Sequence, residues 1–500
     1  MPQDTDKSET GKPFIAISKR KFLIILGLVV AIALWLVWPL ITNNGPVYYA
    51  DEDEHFRYGS IGGETTDGFP YWVVKVLPTA FADKLPSEGG FTSFGFIQEP
   101  DHEFPIGFAR STNQFGLDVV TQNCATCHVS TVRDSPDDPS PRLISAMPGM
   151  TVDLQAYIQF LRAVGQDERF TANHLMPYIN EIANLNPLEK LLYRFLVIPK
   201  TREELLHQSH DFAFMDKQTR YGPGRVDTFT SYKTRRYGFP VEQLKPEELN
   251  GIADYPSIWN QRPRQTLKLH WDGNNDDPSE RNRTAALALV APTTANFDSL
   301  ERVRKWLLDL QPPQYPYPID SALAEQGRPI FEQNCASCHA PKDRGGYLLG
   351  TITPIEEVGT DRGRLDSYTY ELASNQNLTF AGISYQGIDQ RFSHFKKTNG
   401  YTNSLLDGLW LRSPYLHNGS VPTLRDLLSK PEERPQVFYR GYDVFDPDKV
   451  GYVSSVAEEN GKRFFRYDTT APGNGNQGHL YGTQLSEESK AALLEYLKTL

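Results

Sequence analysis

Sulfur is scarce in this sequence, which has four cysteines and five methionines in 500 residues. So few cysteines cannot form a disulfide framework for a chain this long, so its stability has to come from buried apolar cores. No methionine follows Met215, so the second half of the chain has no thioether ligand to offer. Basic residues are also outnumbered: Lys and Arg total 51 against 62 Asp and Glu, a formal net charge of −11. A nucleic-acid binder needs a net basic face, and this balance excludes that class. Low-complexity or disordered character is excluded as well, since 39% of residues are hydrophobic and 23% charged. A phosphate loop is missing too. Gly222-Pro-Gly-Arg225 lacks the G-x-x-x-x-G-K pattern and reads as a turn. Glycine (37) and proline (36) are plentiful, so much of the chain should be loop.

The four cysteines fall in two places. The sequence reads Asn-Cys124-Ala-Thr-Cys127-His128 and Asn-Cys335-Ala-Ser-Cys338-His339. Each is a C-x-x-C-H motif, the pattern for covalent attachment of a c-type haem. Two thiols add across the haem vinyl groups, and the adjacent histidine becomes an iron ligand. One short turn has to present all three groups to one porphyrin, which sets the spacing. A zinc site built from two C-x-x-C pairs would leave the histidine after each pair unexplained. A thioredoxin-like motif would not normally occur twice with histidine following. The expectation is two covalent haems, one on Cys124, Cys127 and His128, the other on Cys335, Cys338 and His339.

Residues 22–41, FLIILGLVVAIALWLVWPLI, carry no charge. Twenty residues of helix span about 30 Å, one bilayer core. Lys19, Arg20 and Lys21 precede them, so residues 1–21 read as a cytoplasmic tail and 22–41 as an uncleaved single-pass anchor in a bacterial inner membrane, with the body in the periplasm. A cleaved signal peptide is the alternative, although its apolar region is normally shorter. The acidic body would suit a basic electron-donor or acceptor protein, such as a small cytochrome or cupredoxin, and solubility alone is the equal alternative.

Residues 42–110 read as a loop-rich N-terminal region. Residues 111–311 form the first haem segment. Helices are expected over Thr151–Val164 and Ser299–Leu310, and more weakly over Gln114–Val120 before the motif. Gln311-Pro-Pro-Gln-Tyr-Pro-Tyr-Pro318 is too rich in proline for helix, and 312–318 reads as an extended linker. Residues 319–500 form the second haem segment. Before its motif, Ser321–Phe331 reads as an amphipathic helix interrupted or bent at Gly327 and Pro329. Its last helix starts at Ser486, a good N-cap, and lines up Leu493, Leu494, Leu497 and Leu500. The fold class expected is mainly α: two cytochrome c-like domains with long loops, preceded by one transmembrane helix.

Two longer strings extend this reading. Tyr255-Pro-Ser-Ile-Trp-Asn260 is followed by His270-Trp271-Asp272-Gly273-Asn274. Leu411-Arg412-Ser413-Pro414-Tyr415-Leu416-His417-Asn418-Gly419-Ser420 is followed by Pro422 to Leu428. Their content and order, over about residues 115–500, resemble the bacterial di-haem cytochrome c peroxidase superfamily. The Trp-Asp-Gly-Asn and Leu-His-Asn-Gly-Ser forms are most similar to its haem c rubber-oxygenase branch. The resemblance implies a catalytic first haem with an open face for peroxide or dioxygen and a six-coordinate second haem that passes electrons. It also implies that Trp271 lies between the two haems. It further implies a calcium ion near Asp254 and the backbone carbonyls of Arg412 and Pro414; oxygen ligands suit calcium.

The sequence departs from that family at two points. Where peroxidase members carry a Gln and a Glu after the Trp-Asp-Gly motif, this chain has Arg281 and Ala291 within a mostly apolar stretch. His270 or Glu280 could take over their proton work. An apolar pocket suits dioxygen or an apolar substrate better than peroxide. Where the family places a methionine on the second haem, this chain has Pro431. His479 is the first choice for that sixth ligand, ahead of His394 and His417. The leading expectation is a di-haem oxidoreductase that reduces peroxide or activates dioxygen. A non-catalytic electron-transfer cytochrome and a haem c dioxygenase are the alternatives.

Overall fold

The computed structural model describes residues 45–500, together with Arg20, Leu23, Leu26 and Gly27. No helix of the described residues is long and apolar enough to cross a membrane. The expected transmembrane helix, and the single-pass inner-membrane location that depended on it, are therefore not supported. Most of the 22–41 segment lies outside the described residues, as does the tail before it apart from Arg20. The fold is also more mixed than the helical reading: helix makes up 41% and strand 13%. The strands are short and pair antiparallel.

The N-terminal region has more structure than its composition suggested. Asp51 caps the helix Glu52–Tyr58 by accepting from the Glu54 N–H. That helix carries His55, whose Nε2 lies 2.8 Å from Ser299 Oγ, and Phe56, which packs against Trp306. Both contacts are to the helix Phe297–Asp309, which forms where the sequence placed one.

Residues Asp118–Gln122 form a strand where a weak helix was expected. The β-branched run Val119-Val120-Thr121 favours extended backbone. The strand is central to a three-stranded sheet, with Phe108–Thr112 on one side and Phe69–Pro70 on the other. It leads directly into the first motif. Asn123 then fixes the motif turn: its Oδ1 accepts from the Ala125 N–H, and its Nδ2 donates to the Gly59 carbonyl.

The second motif follows the helix Ser321–Asn334, capped by Asp320, which continues through Gly327 and Pro329. Gly327 serves close packing: a Cβ there would overlap the Ala492 carbonyl of the last helix, Glu487–Leu497. Leu493, Leu494 and Leu497 are buried on that helix's inner face.

The largest apolar core joins both sides of the proline-rich stretch. Phe56, Val129, Met147, Trp259 and Leu307 pack in the same cluster as Phe331, Trp410, Phe445 and Leu493. Residues 312–318 are pinned to it. Trp410 Nε1 donates to the Pro313 carbonyl, Tyr315 donates to the Pro447 carbonyl, and Tyr317 stacks on Phe445. Met147 and Met150 are both core residues.

Candidate functional site

The first C-x-x-C-H turn opens on a cavity of about 260 Å³. Cys124, Cys127 and His128 line it, together with His270, Trp271 and Arg281. Leu154, Phe229, Leu300 and Val303 supply apolar wall. Burial pushes the Cys124 thiol up to about 11 and the Cys127 thiol to about 12. Burial, helped by the Arg281 charge, lowers the pKa of His128 to about 4. The imidazole is therefore neutral, the form that binds a metal.

His270 is held neutral for the same reason, with burial lowering its pKa to about 3. Its Nδ1 faces Asn274 Oδ1, an atom that can only accept, so Nδ1 carries the proton and Nε2 keeps its lone pair. The backbone of His270 is left-handed, with φ 63°.

Trp271 borders the cavity on one side and packs on the other against Ile355, Leu365 and Tyr401 of the second segment. Its Nε1 donates to the Asp254 carbonyl at 3.0 Å, and its own carbonyl accepts from the Thr402 N–H. Asp254 N–H in turn donates to the His417 carbonyl. The indole is thus tied to both segments.

Glu280 does not join this group and is not among the residues lining the cavity. Its carboxylate is buried and accepts from Asn275 Nδ2, the Ser393 and His394 backbone N–H groups and the His394 ring. It fastens the 393–394 turn. The two carboxylates that do line the cavity, Asp67 and Asp254, are both paired with arginines.

The Asp254 pairing bears on the implied calcium. Arg440 Nη2 lies 3.0 Å from Asp254 Oδ2, and Arg225 Nε lies 3.7 Å from Oδ1, all of them buried. Burial pushes the Asp254 carboxyl pKa up, and the two guanidinium groups oppose it. Both guanidinium groups also lie over the Tyr467 ring. Two fixed positive charges already sit where a dication would need the carboxylate. Arg412 directs its side chain to the Leu405 and Asp407 carbonyls and to the Asp407 carboxylate. Arg440 thus occupies one oxygen of the Asp254 carboxylate, while Oδ1 is buried without a hydrogen-bond partner, and no group of three or more His, Cys, Asp or Glu that could hold a metal ion is found among the described residues.

The second motif is arranged differently. His339 Nδ1 donates to the Ser404 carbonyl at 2.7 Å, which leaves its Nε2 lone pair free. The His479 ring faces it, with ring centroids 6.4 Å apart. Burial, with the His339 charge adding, lowers the pKa of His479 to about 4, and its Nδ1 is buried without a hydrogen-bond partner. Metal–imidazole nitrogen distances are about 2.0–2.1 Å, so this gap suits one metal atom held between the two rings. The neighbouring histidines are engaged elsewhere. His417 is buried against Tyr401, with Nε2 2.9 Å from the phenol oxygen. His394 is half-exposed and bonded to Glu280. The backbone of His479 is anchored by donation to the Val358 carbonyl.

At both turns, then, two thiols and a neutral imidazole meet in the way haem c requires. The sequence did not single out the residues that hold these groups: Asn123, Ser404, Tyr401, Arg225 and Arg440. The chain's only signal for the last pair was Gly419, whose meaning depends on what lies opposite it.

Residues 400–439 match the model of the RoxA-like, cytochrome c-like family. That span contains the Leu411–Ser420 string. The uncharacterized protein y4iM of Sinorhizobium fredii is 32% identical over 294 residues, which is 50% of this chain and 64% of that protein. The chain thus spans less than two thirds of that relative's length. The uncharacterized protein y4iJ of the same organism is 26% identical over 579 positions, covering 92% of this chain and 91% of that one. The Cbb3-type cytochrome c oxidase subunit CcoP of Azospirillum brasilense is 24% identical over 102 residues, 20% of this chain and 33% of that subunit. Residues 400–439 are thus similar to a RoxA-like, cytochrome c-like domain, a likeness that supports haem c as a cofactor.

Proposed function

We propose that the chain is a di-haem c oxidoreductase. Cys124, Cys127 and His128 would hold a catalytic haem, and Cys335, Cys338, His339 and His479 an electron-transfer haem. The observation that carries this reading is the asymmetry of the two motifs. The first histidine opens on a cavity, whereas the second faces another imidazole. A haem held by Cys124, Cys127 and His128 would supply binding and reduction of a small oxidant at this cavity. The protein residues provide the rest. Trp271 spans the space between the segments and orients through the Asp254 carbonyl. His270 offers a neutral Nε2 to a proton at the cavity. Apolar side chains limit water.

Dioxygen is favoured over peroxide as the oxidant. Cleaving peroxide draws on acid–base help, and with each cavity carboxylate already paired with arginine, the weakly basic His270 is left to give it. An apolar organic substrate suits such walls, and an electron-donor protein would serve the second haem. The similarity to CcoP favours a second reading, electron transfer alone.

The reduced holoprotein separates these readings. Binding of carbon monoxide by one haem of two is the expected result. If both haems refuse carbon monoxide, the enzyme reading is wrong and electron transfer remains. Oxygen uptake without peroxide turnover is expected, and rapid peroxide turnover with a reduced donor would reverse the choice of oxidant.

A further inference from the structure

Five arginines line the cavity: Arg235, Arg236, Arg281, Arg304 and Arg364. Four have an acidic partner. Arg235 and Arg236 share Asp67 at 2.9 and 3.2 Å, Arg304 pairs with Glu301 at 2.7 Å, and Arg364 with Asp272 at 3.0 Å. Arg281 has none among the described residues. Its Nε is buried without a hydrogen-bond partner, and the charge that bears on it is another arginine, Arg264. A guanidinium removed from water and left unpaired is costly, and it is retained where an anion comes to meet it. Its flat fork matches a carboxylate or a small anion.

The helix Pro278–Ala286 carries Arg281, and its backbone N–H is already used within the fold, on the Asp277 carbonyl. The side chain is therefore the free group. His128 and His270 border the same space, and the Arg281 charge is felt by both.

We infer that Arg281 is an anion receptor of the first-motif cavity, taking a carboxylate or a small anion. This inference rests on the di-haem reading for the source of one such carboxylate, a haem propionate. The other source is a free anion entering beside His270. Both share one chemistry, and an experiment separates them.

Arg281→Met and Arg281→Lys are prepared in the full holoprotein, with circular dichroism to confirm folding. Intact mass first reports haem at the first motif. Midpoint potential and azide affinity are then measured for that haem. If Arg281 holds a propionate, Arg281→Met lowers the potential, because a nearby positive charge that disfavours the oxidised form is gone. Azide affinity then stays unchanged. If Arg281 receives a free anion, Arg281→Met loses about tenfold or more in azide affinity, the loss expected for a charged hydrogen bond. In either case Arg281→Lys retains most of the effect. A folded Arg281→Met protein with the wild-type potential and azide affinity overturns the inference. Absence of haem at the first motif would sink the di-haem reading alone. Arg281 is then judged by whether azide raises the melting temperature of wild type and not of Arg281→Met, and equal behaviour of the two overturns the inference.

Discussion

Gly419 has room for nothing larger than hydrogen. Its φ is 62°, and a Cβ would overlap both the Arg440 guanidinium and the Asp254 carboxylate. Gly419→Ala should therefore force the buried ion pair apart. A destabilisation of about 2–4 kcal/mol is expected, the scale for breaking a buried pair at a strained backbone position, and a shift in thermal midpoint would measure it. His479 offers a second test at this scale. His479→Ala removes the imidazole opposite His339. The second haem should change from a low-spin to a high-spin spectrum, and an unaltered spectrum would assign the ligand elsewhere. Single residues were the most legible part of the sequence where chemistry fixes the spacing, as in both C-x-x-C-H turns. They were least legible where a partner arrives from far along the chain. Glu280 was a candidate for proton work at the first haem. Its carboxylate is taken up by Ser393 and His394, more than a hundred positions away, and no local pattern announces that.

At the scale of elements, the periodic helices were readable. The helices Leu154–Gln166, Phe297–Asp309 and Glu487–Leu497 lie within a few residues of where apolar spacing and caps placed them. Gly327 misled because its local cost in a helix is real, yet the packing it permits against Ala492 exceeds that cost. Gly327→Ala should raise local helix propensity and still destabilise the protein, by about 1–3 kcal/mol for an overpacked contact; a rise in thermal midpoint would contradict this. Asp407 couples other elements. Burial would raise its carboxyl pKa, but Arg412 and Arg264 outweigh burial and bring it down to about 2. A depressed carboxyl stabilises the fold above its unfolded value, near 4, and that contribution fades as pH falls toward 2. It amounts to about 2 kcal/mol at neutral pH. Asp407→Asn should lower stability at neutral pH and flatten the acid limb between pH 4 and 2, as read by denaturant titration at several pH values.

For the whole molecule, the largest core recruits side chains from before and after residues 312–318, and Tyr315 and Tyr317 of that stretch pack against it. Holoprotein unfolding should therefore show a single cooperative transition across the two segments. Two separated calorimetric transitions would contradict this. The sequence could not reveal this joining, because proline-rich composition reports backbone stiffness and says nothing of what the tyrosines between the prolines touch.

The clamp around Asp254 has one more consequence. Arg225 and Arg440 are part of the polypeptide, so the positive charge that holds Asp254 is delivered at fixed stoichiometry with every chain synthesised. A junction held by an ion would loosen under chelation and respond to the ion's supply. The guanidinium clamp itself draws on no such supply, and the Trp271 anchor on the Asp254 carbonyl shares that constancy.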